Sequence, residues 1–326
     1  MPMSDWPMCD VEPDQRPADI PRLHPRCKTV RFMEPLRTAT YQRLAHVMQG
    51  RSDVGLTLWG YSEIPGDLEF LKWFPSLKRF RLANSFVSNL DGLKYLPPDL
   101  FSLSIGYTQK PLDLQVLSRF RSLRILNIRK HVKNLDVIKT LSKLRDLTLL
   151  EITLPNLALI AALPQLRVLE INFGGTSNLK HLAHARALRY LEICQVRMLA
   201  DLSVLAQIEK LCFAGLRALR NVRELPSFKN SKHLRYLALW KMRGLTNFSP
   251  IADAPNLKEL CLIDMGHIDV EDLRPLVGHK SLQKVNYGLG GDKKNVAAEQ
   301  FIGRDWSGAA MSDLPKLRTK LRGLSP

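Results

Sequence analysis

No stretch of the chain approaches eighteen consecutive apolar residues, so no membrane-spanning helix is expected. The opening MPMSDWPMCDVEPDQ is acidic and proline-rich and lacks the basic, apolar, small-residue order of a signal peptide. The expectation is therefore a cytoplasmic protein. Cysteine is sparse: the five residues Cys9, Cys27, Cys194, Cys212 and Cys261 are odd in number and scattered. That suits free thiols and speaks against a disulfide framework. Catalytic signatures are missing as well. GLGGDKKN, with Gly288, Gly290 and Gly291, has neither the spacing nor the final Lys-Ser/Thr of a phosphate-binding loop and reads as a turn. There is no G-x-S-x-G elbow, and His181 and His184 lack further zinc ligands at matching positions. No enzyme, metal or cofactor is expected.

What is abundant is leucine in a fixed order. SLRILNIRK begins at Ser122, KLRDLTLLE at Lys143, QLRVLEINF at Gln165, ALRYLEICQ at Ala187 and HLRYLALWK at His233. Aligning the first apolar position gives Leu77, Leu100, Leu123, Leu144, Leu166, Leu188, Ile208, Leu234, Leu257 and Leu282, a period of about 23 residues. Slots four and six are apolar in every unit, with Leu211 and Phe213 filling them in the seventh. Such alternation predicts a short strand with one face buried. A second apolar beat at spacing three, as in Leu135, Ile138 and Leu141, predicts 3-10 turns on the way back. One unit cannot cover its own leucines, so the units must stack.

These residues resemble the leucine-rich-repeat superfamily, specifically the short-repeat kind of internalins and of the regulatory subunit of protein phosphatase 1, over roughly residues 54–287. The resemblance implies an α/β solenoid, a horseshoe with a parallel concave β-sheet and short helical or 3-10 convex segments. Slot nine, an Asn in such repeats, here reads Ser85, Thr108, His131, Ile152 and other types, so there is no Asn ladder. Four regions are expected: a mobile, acidic, Pro-rich segment (1–27), an N-terminal cap of strand and helix (28–53), about ten or eleven repeats (54–290), and a C-terminal cap helix with a basic tail (291–326). In the last region Asn295 is expected to cap a helix ending at Gly303, and DLPKLRTKLRGLSP is only weakly patterned.

Slots three, five, seven and eight should point away from the leucines onto the concave face. They hold Arg79, Arg81 and Asn127 early, then Asp146, Glu170, Asn172, Phe173, Tyr190 and Glu192, then Tyr236, Trp240 and Glu259. Aromatics beside acids, flanked by a basic end, predict a protein-binding face. Slot two is basic in most units, as Arg124, Arg145, Arg167, Arg189 and Arg235. These form either a solvated rim whose aliphatic stems cover the leucines or a rail that steers an acidic partner. The function expected is a non-catalytic protein-interaction module: adaptor, regulator or inhibitor. The net charge of +17 keeps nucleic acid or an anionic surface as an alternative through rim and tail. The resemblance adds a regulatory or immunity subunit of a partner enzyme.

Overall fold

The computed structural model describes residues 8–20, 22–60 and 68–323. The first seven residues of the N-terminal segment, Tyr61 of the degenerate first unit and the last three residues of the tail lie outside that range. The chain forms two compact units, one ending at Leu144 and the other beginning at Arg145.

In the N-terminal unit, strands β1 (Met8–Asp10), β2 (Thr29–Phe32), β3 (Gly55–Gly60), β4 (Arg79–Asn84), β5 (Ser102–Ile105) and β6 (Ile125–Arg129) lie side by side in sequence order, all parallel. The register aligns Leu56, Phe80, Leu103 and Leu126 in one column and Leu58, Leu82, Ile105 and Ile128 in the next. All are buried, because a two-residue side-chain period sends slots four and six to the same side of every strand. Helix α1 (Thr38–Met48) turns Tyr41, Leu44 and Met48 inward and is followed by Gly50 at φ 77°. Tyr41 stacks on Phe70 at 5.4 Å between ring centres and meets the edge of Phe32 at 5.6 Å, so strand and helix close this end of the core.

Within the acidic start, residues 8–10 add a strand to the edge of the sheet, and Val11 and Ile20 are buried. The Asp10 carboxylate accepts two hydrogen bonds from the Arg31 guanidinium, both at 2.7 Å, and this forked pair lends the short strand side-chain support. The Cys9 thiol donates to the sulfur of Cys27 at 2.9 Å, and burial, with Cys27 next in weight, pushes it up to about 12.

In the C-terminal unit, strands β7 (Asp146–Leu150), β8 (Val168–Asn172), β9 (Tyr190–Cys194), β10 (Phe213–Arg217), β11 (Tyr236–Trp240), β12 (Glu259–Ile263) and β13 (Lys284–Tyr287) repeat the pattern. One unit corrects the alignment. Ala214, not Leu211, pairs with Leu191 and Leu237, so the slot-six residue is Leu216 and slot one is Leu211. Phe213 therefore points to the concave side. The left-handed residue that ends each strand confirms this register: slot eight has positive φ at Glu151, Phe173, Gln195, Ala218, Lys241 and Asp264. Each of Glu151, Phe173, Gln195, Ala218 and Lys241 then donates its backbone N–H to the last residue of the following strand, at 2.8 Å. Slot nine carries Ile152, Val196, Leu219, Met242 and Met265, an apolar column where an Asn ladder would otherwise run.

Return segments are 3-10 turns such as Ser203–Gln207, or single helical turns, α2 (Ala158–Ala161) and α3 (Ser249–Ala252). Beyond β13, α4 runs Asp292–Ile302 and stops at Gly303, φ 68°. Asn295 lies inside it, and its side chain accepts from the Leu289 N–H instead of capping the first turn. The weakly patterned tail is a second helix, α5 (Leu314–Arg322), capped by Asp313, which accepts from the Lys316 N–H at 3.0 Å.

Candidate binding face of the C-terminal unit

Parallel register turns alternate residues of β7 to β12 into three ladders on the side away from the leucines. The first reads Asp146, Val168, Tyr190, Phe213, Tyr236, Glu259; the second reads Thr148, Glu170, Glu192, Gly215, Ala238, Cys261. The third runs Leu150, Asn172, Cys194, Arg217, Trp240, Ile263. Acids thus stand at both ends of the first ladder and aromatics in its middle. Tyr190 and Phe213 are stacked at 4.3 Å and 12°. Gly215 allows this, since a Cβ there would lie 2.9 Å from the Phe213 ring. The Tyr190 hydroxyl donates to Glu192 at 2.7 Å; burial first and the Glu192 charge second push its ionisation up.

This face is not bare, because the segment from Ala309 to Gly323 lies on it. Met311, Leu317 and Leu321 pack with Val168, Tyr190, Phe213 and Cys261, and Trp306 and Leu314 border the cluster. The Glu259 carboxylate accepts the N–H groups of Ala310 and Met311 at 2.7 and 2.8 Å, an anion stationed at the start of the incoming segment. At the other end Arg318 donates to Asp146 at 2.6 Å and to Thr148 at 3.1 Å, and its Nε stands 3.2 Å from Glu170. Arg322 reaches the second oxygen of Asp146 at 3.2 Å. Asp146 is fully buried, and two guanidinium groups partner both of its oxygens there. For Arg318 burial is the largest influence and works against the charge, yet Asp146 and Glu170 outweigh it and hold the guanidinium more firmly protonated than usual.

Glu170 is the poorly compensated member. Burial, with Glu192 and Asp146 adding to it and Arg318 and Thr148 opposing, pushes it up to about 7. A carboxyl with a raised folded-state pKa takes up protons on folding, so its contribution favours the folded form at low pH and is lost as pH rises from about 4.5 to about 7. Replacing it with an isosteric neutral group (E170Q) should raise the melting temperature at pH 8 and change it little at pH 5, as read by paired thermal melts.

Rim arginines grip backbone. Arg145 donates to the Gly323 carbonyl at 2.8 Å, closing the C-terminal end of α5 where the helix dipole favours a cation. Gly323 is left-handed at φ 61°, and the Arg167 guanidinium lies where a side chain on it would begin. Burial, then the charges of Arg189 and Arg145, weaken protonation of Arg167. Arg235 donates to the carbonyls of Lys232 and Asn256. In the N-terminal unit Arg124 does the same to Lys143 at 3.3 Å.

Of the residues singled out in the sequence, Asp146, Glu170, Tyr190, Glu192, Tyr236 and Glu259 thus meet at or beside the tail. Asn172, Phe173 and Trp240 form a separate uncovered edge, with Phe173 half exposed and the Arg217 guanidinium 4.0 Å over the Trp240 ring. Arg79, Arg81 and Asn127 belong to the N-terminal unit, where Arg79 lies 4.5 Å from the Phe101 ring. Phe213, Arg217, Arg318 and Arg322 were missed. An even 23-residue step would have recovered the first two. The Leu314, Leu317, Leu321 spacing with arginines at 318 and 322 was the signal for the others.

No family model and no curated protein matches the sequence. Solved structures do. An internalin from Listeria monocytogenes superposes with a TM-score of 0.56 at 16% identity, covering 85% of this chain and 76% of that one. The fold is a leucine-rich-repeat α/β solenoid. A chain in the Drosophila Toll–Spatzle complex superposes at 0.57 with 15% identity over 81% of this chain, which spans only 36% of that one. Among the described residues of this leucine-rich-repeat chain, no group of three or more His, Cys, Asp or Glu is placed to hold a metal ion. No described helix is long and apolar enough to cross a membrane.

Proposed function

We propose that the protein is a non-catalytic interaction module that captures a partner protein on the concave face of its C-terminal unit, acting as adaptor, regulator or inhibitor. The observation that carries this reading is that the ladders of acids and aromatics already hold a complementary polypeptide segment through both ends and the middle. The fold supports it in a general way, since a similar repeat chain occurs in the Toll–Spatzle complex. The uncovered edge of Phe173, Arg217 and Trp240 gives a partner a first foothold, because exposed aromatics and arginine are the residue types that anchor interfaces. Rim arginines not committed to the tail, Arg189 foremost, speed the approach of a partner that carries acidic groups beside the segment that docks on the face. A cytoplasmic setting agrees with five free thiols. Binding to nucleic acid is the weaker reading, for the tail's Arg318 and Arg322 face carboxylates and only Lys316 and Lys320 face outward. The double variant F173A/W240A should lose at least about tenfold in affinity for the partner recovered by co-purification, by analogy with interface hot spots. Its circular dichroism should match the wild type. Unchanged capture would reject the reading.

A further inference from the structure

The occupant of the face says what kind of partner it fits. The tail presents Leu314, Leu317 and Leu321 on one side of α5, with Arg318 and Arg322 beside them, and turns Lys316 and Lys320 outward. The distance from Glu259 on β12 to Asp146 on β7 spans five strand spacings, roughly 24 Å. A helical segment of about thirteen residues is roughly 20 Å long. One short helix therefore fits between the two acids, laid across the strands, with its start on Glu259 and its arginines on Asp146. Charge complementarity sets its direction: the anion at the β12 end faces N–H groups, and the buried carboxylates at the β7 end face cations.

The resident helix fits this receptor imperfectly. The Nε groups of Arg318, Arg322 and Arg145 are buried without a hydrogen-bond partner, and Arg318 faces Glu170 without a hydrogen bond. A nine-residue helix also has little stability away from a surface. Its hold depends on being attached: a tether supplies an effective concentration in the millimolar range, so even a weak segment fills the face until a better one arrives. Resting on the interaction reading above, we propose that this face is a receptor for a partner's basic amphipathic helix, with leucines three and four apart and arginines aimed at Asp146 and Glu170, and that residues 310–322 are its resident competitor.

The test uses the full-length chain and a fluorescein-labelled peptide of its own residues 309–323. In the variant L317D/R318E the tail cannot dock, and the face is open. Anisotropy titration should show the peptide binding this variant at least about 100-fold more tightly than the wild type, where the tethered tail competes. Adding D146K should abolish the binding. A folded variant that ignores the peptide, or equal affinity for variant, wild type and D146K, would overturn the proposal. If L317D/R318E fails to fold, hydrogen exchange on the wild type decides: excess unlabelled peptide should accelerate exchange at 314–322, and unchanged protection would overturn the proposal. Light scattering guards against the other occupant. A dimer that requires the tail would assign the face to a second copy of this chain and overturn the partner assignment. Loss of capture in F173A/W240A together with equal peptide binding to wild type and tail variant would leave the interaction reading standing and this inference refuted; peptide selectivity without any captured partner would do the reverse.

Discussion

Reversing the charge at Arg318 (R318E) is expected to detach the C-terminal helix while leaving the repeats folded. The substitution places a fourth carboxyl group among Asp146, Glu170 and Glu192 and takes from the buried Asp146 its closest counter-charge. Breaking one partner out of a buried ion pair costs about 3–5 kcal/mol, because the remaining charge is left without compensation. Docking of a nine-residue helix through three apolar side chains cannot absorb that. Limited trypsin digestion should cleave after Lys316 and Lys320 at least about 100-fold faster than in the wild type, while the leucine columns keep their melting transition within a few degrees. The control R318K retains the charge but has a single nitrogen, which cannot serve Asp146 and Thr148 through one end and stand beside Glu170 with another as the guanidinium does, so it should fall between the two. Equal digestion of R318E and wild type would show that the ion pairs do not hold the helix.

A larger effect is expected at Ala214. It is fully buried in the column between Leu191 and Leu237, and slot four there holds an alanine where its neighbours hold leucine. An aspartate at that position would put a carboxylate among leucines with no partner, an event that costs more than about 4 kcal/mol and is among the few mechanisms able to unfold a domain outright. Because each unit is stabilised by its neighbours, the loss should spread to β9 and β11 before the rest of the unit, visible as hydrogen exchange that rises first in those strands. Urea denaturation gives the magnitude. The same variant tests the register. If Leu211 and Phe213 formed the core of this unit, position 214 would be exposed and A214D nearly silent.

That register shows where the sequence was readable and where it was not. The period-two strand and the 23-residue step are written in side-chain chemistry that serves one purpose, burial, so they could be read without a structure. At residues 208–216 both phases, Leu211 with Phe213 and Ala214 with Leu216, look apolar, and only pairing with the neighbouring strands distinguishes them. The strand in the acidic start was not legible for a related reason. Its composition predicts disorder, but a three-residue strand needs few apolar side chains of its own when an existing sheet edge supplies the hydrogen bonds and Asp10 clamps Arg31.

For the site, slot positions placed Asp146, Glu170, Tyr190 and Glu259 on the correct side of the sheet. Nothing in those slots reveals what lies over them. The contact between Arg318 and Asp146 joins residues 172 positions apart, and a basic tail with leucines reads equally as a solvated helix, a nucleic-acid contact or an inward-facing strap. Tertiary charge pairing decides among these. The rim arginines follow the same rule: their recurrence in slot two was visible, whereas the carbonyls they grip at Lys143, Asn256 and Gly323 emerge only once the turns are stacked.

The central claim, that the concave face of the C-terminal unit receives a partner protein, is tested most directly by site-specific crosslinking. A photoreactive phenylalanine analogue at Trp240, beside Arg217 on the uncovered edge, is compared with the same probe at exposed His184 on the opposite side. After irradiation in the native host, the account predicts a discrete partner adduct from position 240, strengthened when R318E frees the face, and none from position 184. Adducts from position 184 alone would contradict it.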